Sequence, residues 1–533
     1  NNELIMMKIN DLSRRNFLNL VGVAGGSTAI YQTSLAMGVM SETSKPAKLD
    51  LKQVKGEKKS VLVLGAGISG LSVAYELERV GYQVTVLEAS KRIGGRNLTL
   101  RHGDEIDELG QKQICEFDDD PKMYFNAGPA RIPGHHRRVL QYCKMLKVPL
   151  QIKTNFSRPA YTHEADHFGG EPIRVSRYIA DARGFLSELL HKAVDKNIFD
   201  ESLSPEEIEK LRDFVKNYGD LKADGTYQGT IRGGIKSGGM VTPSASHEPI
   251  ELRALLDSNF WRSGLVSSEN PDWGDPLMEI SGGMDGIVKA FVEAIRSEIV
   301  TNAQVQSIRN TTEGVAVEYH HGGKRKQLKA DWCFNSIPSH FMPSIPNNFA
   351  DDYIAGLSAM SRGNFFKLGF QMKSRFWEDE GIYGGITRTS QRINQIWYPS
   401  ADIHSEKGVV LGAYAFHGQS GFFEKMTPAE RLNFAADCGE VVHPGYRDQI
   451  EAGVSVPWGR MNHMMGCGVI WSDEVRAKYW DRLRLPEGRH YMMGDQISYH
   501  SSWQEGALAS AEFAMQDMDQ RVRAADAATT EAK

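Results

Sequence analysis

The residues with the clearest chemistry form a glycine-rich turn at the start of the folded part of the chain. Residues 61–71 read VLVLGAGISGL, and Glu88 follows a second predicted strand at residues 83–87. An apolar strand followed by closely spaced glycines lets the backbone approach a pyrophosphate, which the N-terminus of the next helix then faces. A carboxylate at this distance accepts hydrogen bonds from ribose hydroxyls. The pattern predicts a dinucleotide site formed by Gly65, Gly67, Ser69, Gly70 and Glu88.

A glycine-rich turn alone is weak evidence, because such turns also occur for packing reasons. Here the strand, glycines, helix and acid occur together, which favours a dinucleotide over a purely structural turn. These residues alone leave both NAD and FAD open. Residues 92–96 (RIGGR) resemble the extended FAD fingerprint of the flavin-containing amine oxidase family. The resemblance implies FAD, with Arg96 along the flavin side of the pyrophosphate.

Length and composition limit the architecture and the partners. A chain of 533 residues, 41% hydrophobic and 24% charged, predicts two or three globular domains. The formal net charge of −5 argues against a nucleic-acid surface, and we interpret the HHRR run at residues 135–138 as a solvated helix face. The five cysteines are scattered and never spaced as Cys-x-x-Cys, so we predict no metal site and no disulfide framework.

The N-terminal segment, residues 1–36, resembles a twin-arginine signal peptide. Arg14 and Arg15 precede a mildly apolar stretch, and small residues at 34–36 offer a cleavage site after Ala36. The apolar stretch is shorter than the ~20 residues that span a bilayer, so we expect no stable membrane insertion. An ordinary amphipathic helix is the alternative. The prediction is a periplasmic or secreted protein that is loaded with its cofactor before export.

The hydrophobic pattern predicts an α/β protein, α+β overall, whose domains are interleaved along the chain. A Rossmann-like FAD-binding domain is expected to alternate with a mixed-sheet substrate domain, into which a helical subdomain is inserted. The predicted ranges are 37–58 for a linker; 59–105, 279–361 and 486–523 for the FAD-binding domain; 106–160 and 362–485 for the substrate domain; 161–278 for the helical subdomain; and 524–533 for a disordered tail.

Nearly the whole mature chain resembles the bacterial L-amino-acid oxidase branch of this family. Residues 124–133 (YFNAGPARIP) are similar to the segment in which that branch presents an arginine to the substrate carboxylate, which implies this role for Arg131. A guanidinium pairs both carboxylate oxygens at once, whereas an oxidase of simple amines would gain nothing from it. The alternative role for Arg131 is a surface salt bridge.

Two further segments resemble the substrate domain of that branch. Residues 365–370 (FFKLGF) place Lys367 where the family has a lysine near flavin N5, which implies a catalytic role through a bound water. Since a lysine is costly to bury unless it is paired or functional, a solvent-facing position on an edge strand is the alternative. Residues 411–414 (LGAY) imply that Tyr414 donates a second hydrogen bond to the carboxylate, a core tyrosine being the alternative.

Residues 494–496 and 501–507 resemble the second flavin motif of the family. Asp495 stands where a glutamate is usual, and the shorter carboxylate can reach the ribityl and phosphate region through water. Trp503 would form one wall of the amino-acid site, with the Ser502 carbonyl receiving the substrate amino group; a core tryptophan is the alternative. The resemblance implies further cofactor contacts from Ala89, Ala130, Arg131, Val305, Trp458, Gly494 and Trp503.

Monoamine oxidases of this family tether FAD to a cysteine in a place comparable with Cys467. A small buried thiol is the favoured interpretation of Cys467, so we predict non-covalent FAD and keep the covalent link as a minor alternative. Acid precipitation decides this, because flavin left in the supernatant excludes the bond.

The combined prediction is FAD-dependent oxidative deamination of L-amino acids by hydride transfer from Cα to the flavin. The products are a 2-oxo acid, ammonia and hydrogen peroxide, with molecular oxygen as the second substrate. Alternatives within the family are a monoamine or polyamine oxidase, an amino-acid dehydrogenase and a decarboxylating monooxygenase. A flavin-bound interaction protein without turnover is the alternative outside enzymology. The sequence gives neither the preferred amino acid nor the oligomeric state, a homodimer being one state left open.

Overall fold

Two sheets of different kinds dominate the computed structural model, which describes residues 49–54, 59–196 and 203–531. From Leu51 onward the chain forms one compact unit. The elements combine helix and sheet throughout, so the prediction of an α/β protein is confirmed. The predicted signal peptide and most of the predicted linker lie outside the described residues and stay predictions.

The strands and helices of the described residues alternate along the chain. The strands are β1 (Ser60–Leu64), β2 (Gln83–Leu87), β3 (Thr99–Leu100), β4 (Glu105–Glu108), β5 (Gln111–Ile114), β6 (Phe125–Asn126), β7 (Ile132–Pro133), β8 (Leu150–Lys153), β9 (Tyr161–His163), β10 (Ile173–Arg174), β11 (Ile235–Ser237), β12 (Ala245–Ser246), β13 (Leu277–Ile280), β14 (Glu298–Val300), β15 (Gln304–Asn310), β16 (Val315–His321), β17 (Lys324–Ala330), β18 (Trp332–Asn335), β19 (Ser361–Gly363), β20 (Phe365–Met372), β21 (Gly385–Thr389), β22 (Gln395–Tyr398), β23 (Gly408–Phe416), β24 (Ile450–Pro457), β25 (Gly468–Ile470) and β26 (His490–Met492). The helices are α1 (Ile68–Arg79), α2 (Arg137–Met145), α3 (Val175–Asp195), α4 (Pro205–Gly219), α5 (Leu252–Asp257), α6 (Phe260–Ser263), α7 (Gly286–Ala294), α8 (Asp351–Ala359), α9 (Phe376–Asp379), α10 (Ser420–Phe423), α11 (Pro428–Val442), α12 (Tyr446–Gln449), α13 (Asp473–Leu483) and α14 (Gln504–Glu531).

The first sheet consists of five parallel strands in the order β14-β2-β1-β18-β26. Its central strand β1 is apolar after Ser60 and buried, as expected for a parallel strand covered on both faces. Helix α1 follows β1 directly and buries Leu71, Val73, Ala74 and Leu77. The five strands come from the three separate stretches of sequence that we assigned to the FAD-binding domain.

An antiparallel meander of β15, β16 and β17 follows β14 along the chain. Gly322 and Gly323 connect β16 to β17 with positive φ angles of 58° and 72°, a conformation that favours glycine. These two glycines therefore form the tight turn that reverses the chain between β16 and β17.

The second sheet has seven strands in the order β10-β9-β21-β22-β23-β20-β24, and all its neighbours are antiparallel except β9 and β21. Strand β20 lies between β23 and β24 and is buried along nearly its whole length. Strands β9 and β10 fall within the range that we assigned to the helical subdomain. They belong instead to this sheet, where Thr162 pairs with Arg388 of β21.

Helices α3, α5 and α6 share a small core of their own, formed by Tyr178, Ile250, Leu255 and Phe260 among others, and α4 packs against α3. Helix α4 begins with a capping box in which Ser204 and Glu207 exchange hydrogen bonds, with Pro205 at the first helical position. Among the described residues, none of the helices is both long enough and apolar enough to cross a membrane.

Two expectations about polar segments differ from the structure. Residues 524–531 continue helix α14 where we expected a disordered tail, since this segment is rich in alanine, the strongest helix former. The HHRR run is not a solvated face, because His136 is 2% exposed and Arg138 forms ion pairs with Glu505 and Glu512. These carboxylates belong to α14, so paired charges join α2 to the C-terminal helix.

Candidate functional site

A cavity of about 1100 Å³ lies where the carboxyl ends of β1, β2 and β26 meet side chains of β20 to β23. The carboxyl ends of parallel strands are where open α/β sheets bind ligands. All but one of the site residues that the sequence predicts line this cavity, Gly70 being the exception. The predicted lining residues are Gly65, Gly67, Ser69, Glu88, Ala89, Arg96, Ala130, Arg131, Val305, Lys367, Tyr414, Trp458, Gly494, Asp495, Ser502 and Trp503.

The glycine-rich turn has the shape that a pyrophosphate requires. Gly65 has φ of +96°, and a side chain there would place Cβ 2.3 Å from Oγ of Ser336. A Cβ at Gly70 would lie 2.0 Å from the carbonyl oxygen of Gly65, so Gly70 serves close packing. Gly67 has open space around it, and α1 begins after it with no side-chain cap and no acid in its first turn. The first amides of this helix are therefore available to an anion, which fits a dinucleotide.

Glu88 determines the shape of the same turn. Its Oε2 accepts a hydrogen bond of 2.7 Å from the amide of Ala66, and its Oε1 accepts one of 2.9 Å from the amide of Ser90. The side chain is buried and lines the cavity. This carboxylate therefore holds the backbone of the glycine-rich turn. Its contact with the ribose stays a prediction.

The buried Asp495 and the half-buried Arg96 form an ion pair beside the cavity. Nη1 of Arg96 donates to Oδ2 of Asp495 at 2.9 Å, Nη2 donates to Oδ1, and the amide of Ser502 donates to Oδ2 at 2.8 Å. Burial alone would raise the pKa of Asp495, but the guanidinium holds it below its usual value. Since both carboxylate oxygens have protein partners, Asp495 positions Arg96 and the turn before Trp503; its contact with the ribityl region through water stays a prediction.

Arg131 lies in a cage of three tryptophans. Its guanidinium carbon is 4.9 Å from the ring centroid of Trp397, 5.6 Å from that of Trp503 and 5.8 Å from that of Trp273. Nη1 donates to Oδ1 of Asn155 at 3.0 Å, whereas Nε is buried without a hydrogen-bond partner. Burial lowers the pKa of Arg131 to about 10. Among the described residues no carboxylate lies within 4.0 Å of this guanidinium, so the surface salt bridge is excluded there.

Three residues of this cage carry no motif in the sequence. Asn155 is 4% exposed and donates from Nδ2 to the carbonyl oxygen of Trp273 at 2.9 Å. This bond fixes the amide of Asn155, whose Oδ1 accepts the hydrogen bond from Arg131. Trp273 precedes β13 in a loop, and Trp397 lies on the short strand β22. Each comes from a different stretch of chain, so only the folded arrangement shows that they surround one cation.

Lys367 is buried on the interior strand β20, opposite Tyr414 of β23 and Val456 of β24. It is 4% exposed, so the alternative of a solvent-facing edge strand is wrong. Nζ donates to the carbonyl oxygens of Asn126, at 3.3 Å, and of Gly128. Burial, together with the nearby positive charges of Arg131 and Lys153, lowers the pKa of Lys367 to about 7. The amine is therefore largely neutral at mildly alkaline pH.

Aromatic and sulfur side chains complete the cavity. Burial raises the pKa of Tyr414, so its hydroxyl stays protonated and can donate a hydrogen bond. Trp458 is 1% exposed, and its Nε1 donates to the carbonyl oxygen of Ala127 at 3.0 Å. Burial also raises the pKa of the Cys467 thiol, which disfavours the reactive thiolate and is consistent with non-covalent flavin.

A second guanidinium, which the sequence did not single out, also lines the cavity. Arg388 lies on β21, and burial lowers its pKa to about 10. No carboxylate of residues 49–54, 59–196 or 203–531 lies within 4.0 Å of it. Together with Arg131 it gives the cavity a positive potential that the protein itself does not neutralise.

The sequence matches two family models that agree with this geometry. Residues 68–518 match the flavin containing amine oxidoreductase family, and residues 14–116 match the pyridine nucleotide-disulphide oxidoreductase family. Because the first match spans most of the chain, the protein belongs to the flavin-containing amine oxidoreductase family. It is a flavin-dependent oxidoreductase with FAD as its cofactor, and the glycine-rich turn, Glu88 and Arg96 are the residues that fit this group.

Several relatives within this family are named for oxidation of amino acids. The chain is 27% identical over 481 residues to the flavin-dependent L-tryptophan oxidase RebO of Lentzea aerocolonigenes, covering 86% of this chain and 97% of that protein. It is 26% identical over 501 residues to an L-amino-acid oxidase of Echis ocellatus, covering 89% and 91% of the two chains. The putative L-amino-acid oxidase YobN of Bacillus subtilis is 24% identical over 472 residues, covering 85% and 93%.

Solved structures of amine oxidases share the fold. Putrescine oxidase bound to putrescine gives a TM-score of 0.59 at 17% identity, covering 87% of this chain and 99% of that chain. Cyclohexylamine oxidase from Brevibacterium oxydans gives a TM-score of 0.58 at 16% identity, covering 88% and 100%. At these identities the likeness concerns the fold alone.

Proposed function

We propose that this protein oxidises L-α-amino acids with molecular oxygen, giving a 2-oxo acid, ammonia and hydrogen peroxide. The observation that carries the proposal is Arg131, a cation that lines the cavity, is desolvated and has no carboxylate within 4.0 Å among the described residues. A buried unpaired charge destabilises the fold unless a ligand compensates it. An α-amino acid supplies the missing carboxylate, whereas a simple amine does not. The names of the relatives support the same substrate class.

In this proposal the protein orients the substrate from its carboxylate end. The guanidinium of Arg131 pairs the two carboxylate oxygens, and Asn155 with the three tryptophan rings fixes the plane of that guanidinium. Tyr414 donates a second hydrogen bond from its protonated hydroxyl. Holding one end of the substrate in a fixed orientation places Cα in a single position within the cavity.

FAD, when bound, supplies the hydride acceptor and the centre at which oxygen is reduced. The residues of the chain bind the cofactor, orient the substrate and exclude water around both. We assign to Lys367 the holding of a water for oxygen reduction or imine hydrolysis, because its amine is buried in the cavity wall and exchanges a proton near pH 7.

A peroxide assay on the purified enzyme tests the substrate class, with L-amino acids, D-amino acids and amines as substrates. Arg131→Met is expected to lower kcat/KM for L-amino acids by about 1000-fold, since two charge-assisted hydrogen bonds are lost. Arg309→Met, which removes an exposed arginine of β15, serves as the matched control. Faster turnover of putrescine or a monoamine than of any L-amino acid would reverse the proposal in favour of an amine oxidase.

We also keep export through the twin-arginine pathway as a proposal, supported by Arg14, Arg15 and the following apolar stretch. Activity in the periplasmic or medium fraction is expected for the full chain and not for a variant carrying Arg14→Lys and Arg15→Lys. Equal distribution of the two proteins would contradict it.

A further inference from the structure

Three histidines and one aspartate from three distant segments meet beside the cavity. Oδ1 of Asp272 lies 2.9 Å from Nε2 of His135, 3.0 Å from Nε2 of His136 and 3.2 Å from Nε2 of His500. The Nε2 atoms of His136 and His500 are themselves 3.1 Å apart. All four ligand atoms lie within 4.8 Å of one another.

This arrangement is unusual for hydrogen bonding alone. A single carboxylate oxygen faces three imidazole nitrogens, and two imidazole nitrogens face each other, although a neutral imidazole carries only one N–H. Ligand atoms of a tetrahedral zinc site, bound at about 2.0–2.2 Å, lie about 3.3 Å apart. Four of the six separations between these atoms are 2.9–3.2 Å and approach that spacing, and all six lie within 4.8 Å.

We propose that His135, His136, Asp272 and His500 bind one divalent transition-metal ion of the zinc class. Three imidazoles and a carboxylate suit zinc, and four protein ligands close the tetrahedral shell. We predicted no metal site because the cysteines are scattered. No spacing motif shows this cluster, because its ligands come from residues 135–136, 272 and 500, which are far apart in the sequence. The side chains of His135 and His500 are 36% and 37% exposed, so an ion can enter from solvent.

Each segment that supplies a ligand also supplies a wall of the cavity. Arg131 precedes His135 by four residues, Trp273 follows Asp272 directly, and Trp503 follows His500 by three residues. The ring of His136 lies edge-on to that of Trp503, with 4.9 Å between the ring centroids. An ion bound here would hold two of the three tryptophans that surround Arg131 in fixed positions. This kinetic consequence rests on the proposed oxidation of amino acids, whereas the binding of the ion does not.

Titration of the untagged, FAD-loaded protein with zinc chloride, after removal of metals with EDTA, tests the site. Calorimetry is expected to give one zinc per chain, and His500→Ala and Asp272→Asn are each expected to weaken binding by at least about tenfold. His320→Ala, which removes an exposed histidine of β16, is the matched control and should leave binding unchanged. Flavin absorbance and the thermal midpoint without zinc verify that each variant is folded. Absence of stoichiometric binding, or wild-type affinity for zinc in both ligand variants, would overturn the site.

Steady-state kinetics with an L-amino acid test the effect on the cavity. Zinc is expected to lower KM by about fivefold or more in the wild type and to leave His500→Ala unchanged. Stoichiometric zinc binding with an unaltered KM would show that the ion does not fix the tryptophans around Arg131, while leaving the metal site in place. Failure of the chain to oxidise any amino acid would remove the proposed function and leave the calorimetric result standing.

Discussion

The two sides of the cavity treat buried charge in opposite ways. On the cofactor side, Arg96 is paired with Asp495 and both oxygens of Glu88 accept backbone amides. On the other side, Arg131 and Lys367 lie near each other, and neither has a carboxylate within 4.0 Å among the described residues. Charges that are partnered within the chain shape the backbone, whereas charges without a counter-ion mark where a charged ligand is expected.

The pKa values of the charged residues differ between the cofactor side and the substrate side of the cavity in the same way. Although burial lowers the pKa of Arg96, its pair with Asp495 raises it above the usual value. Burial without such a pair lowers the pKa of Arg131 to about 10 and that of Lys367 to about 7. The substrate side is therefore electrostatically destabilised in the free protein, and a bound carboxylate offsets that cost.

The largest effect is expected from breaking the pair on the cofactor side. Asp495→Asn leaves the half-buried guanidinium of Arg96 without its counter-ion, which costs up to about 3 kcal/mol. We expect loss of most flavin from the purified protein and a lower free energy of unfolding, measured by absorbance and by denaturant titration. Asp495→Glu, which restores the residue usual in the family, is the control and should keep its flavin. Full flavin content in Asp495→Asn would show that the cofactor side does not depend on this ion pair.

Removing a charge from the other side is expected to slow the reaction without lowering stability. Lys367→Met replaces a buried unpaired cation by an apolar side chain, so the free energy of unfolding should be unchanged or higher. The oxygen-dependent half-reaction should slow by about 100-fold, because the group that holds the water is lost. Stopped-flow mixing with oxygen measures this, with Lys373→Met as the control because Lys373 is exposed just beyond β20. An unaltered oxygen reaction would exclude Lys367 from it.

A smaller effect is expected from Arg388, the second cavity arginine that has no carboxylate within 4.0 Å among the described residues. If it faces the substrate side chain, amino acids with an anionic side chain gain a charge-assisted hydrogen bond. We expect Arg388→Met to lower kcat/KM for L-glutamate relative to L-leucine by about tenfold. Parallel loss with both substrates would instead indicate that Arg388 supports the cavity wall.

The last prediction concerns the pH dependence of stability. The pKa of Lys367 is about 7 in the folded protein and 10.5 without burial, so between these values the unfolded chain binds more protons. Stability should therefore fall as pH decreases from 10.5 towards 7, by at most about 1.4 kcal/mol per pH unit, and level off below. The difference in unfolding free energy between Lys367→Met and the wild type should grow over the same window. A constant difference from pH 9 to pH 7 would show that the lysine is not desolvated.

The sequence predicted the cofactor side more fully than the substrate side for a physical reason. Gly65 to Glu88 form a continuous strand-turn-helix-strand unit, so their spacing alone fixes their geometry. Arg131 and Lys367 were identified only because their segments resemble a known family. The sequence around Asn155, Trp273 and Trp397 carries no motif. These residues meet around Arg131 only in the folded chain, so the local sequence could not show their role.

The interleaving of the domains was predicted, but two boundaries were not. Strand β9 is short and polar in sequence, and it joins the seven-stranded sheet through pairing with the distant β21. The C-terminal residues are small and polar, which suggested disorder, yet alanine-rich sequence also favours helix. Short strands and terminal segments are determined by what they pack against more than by their own composition.

The pair of Arg96 and Asp495 joins positions 399 residues apart, and the edge strand β26 comes from the last tenth of the chain. Contacts of such high sequence separation make folding slow and keep incomplete chains from closing the sheet. A nascent chain therefore presents the glycine-rich turn long before it has the residues that complete the FAD cavity.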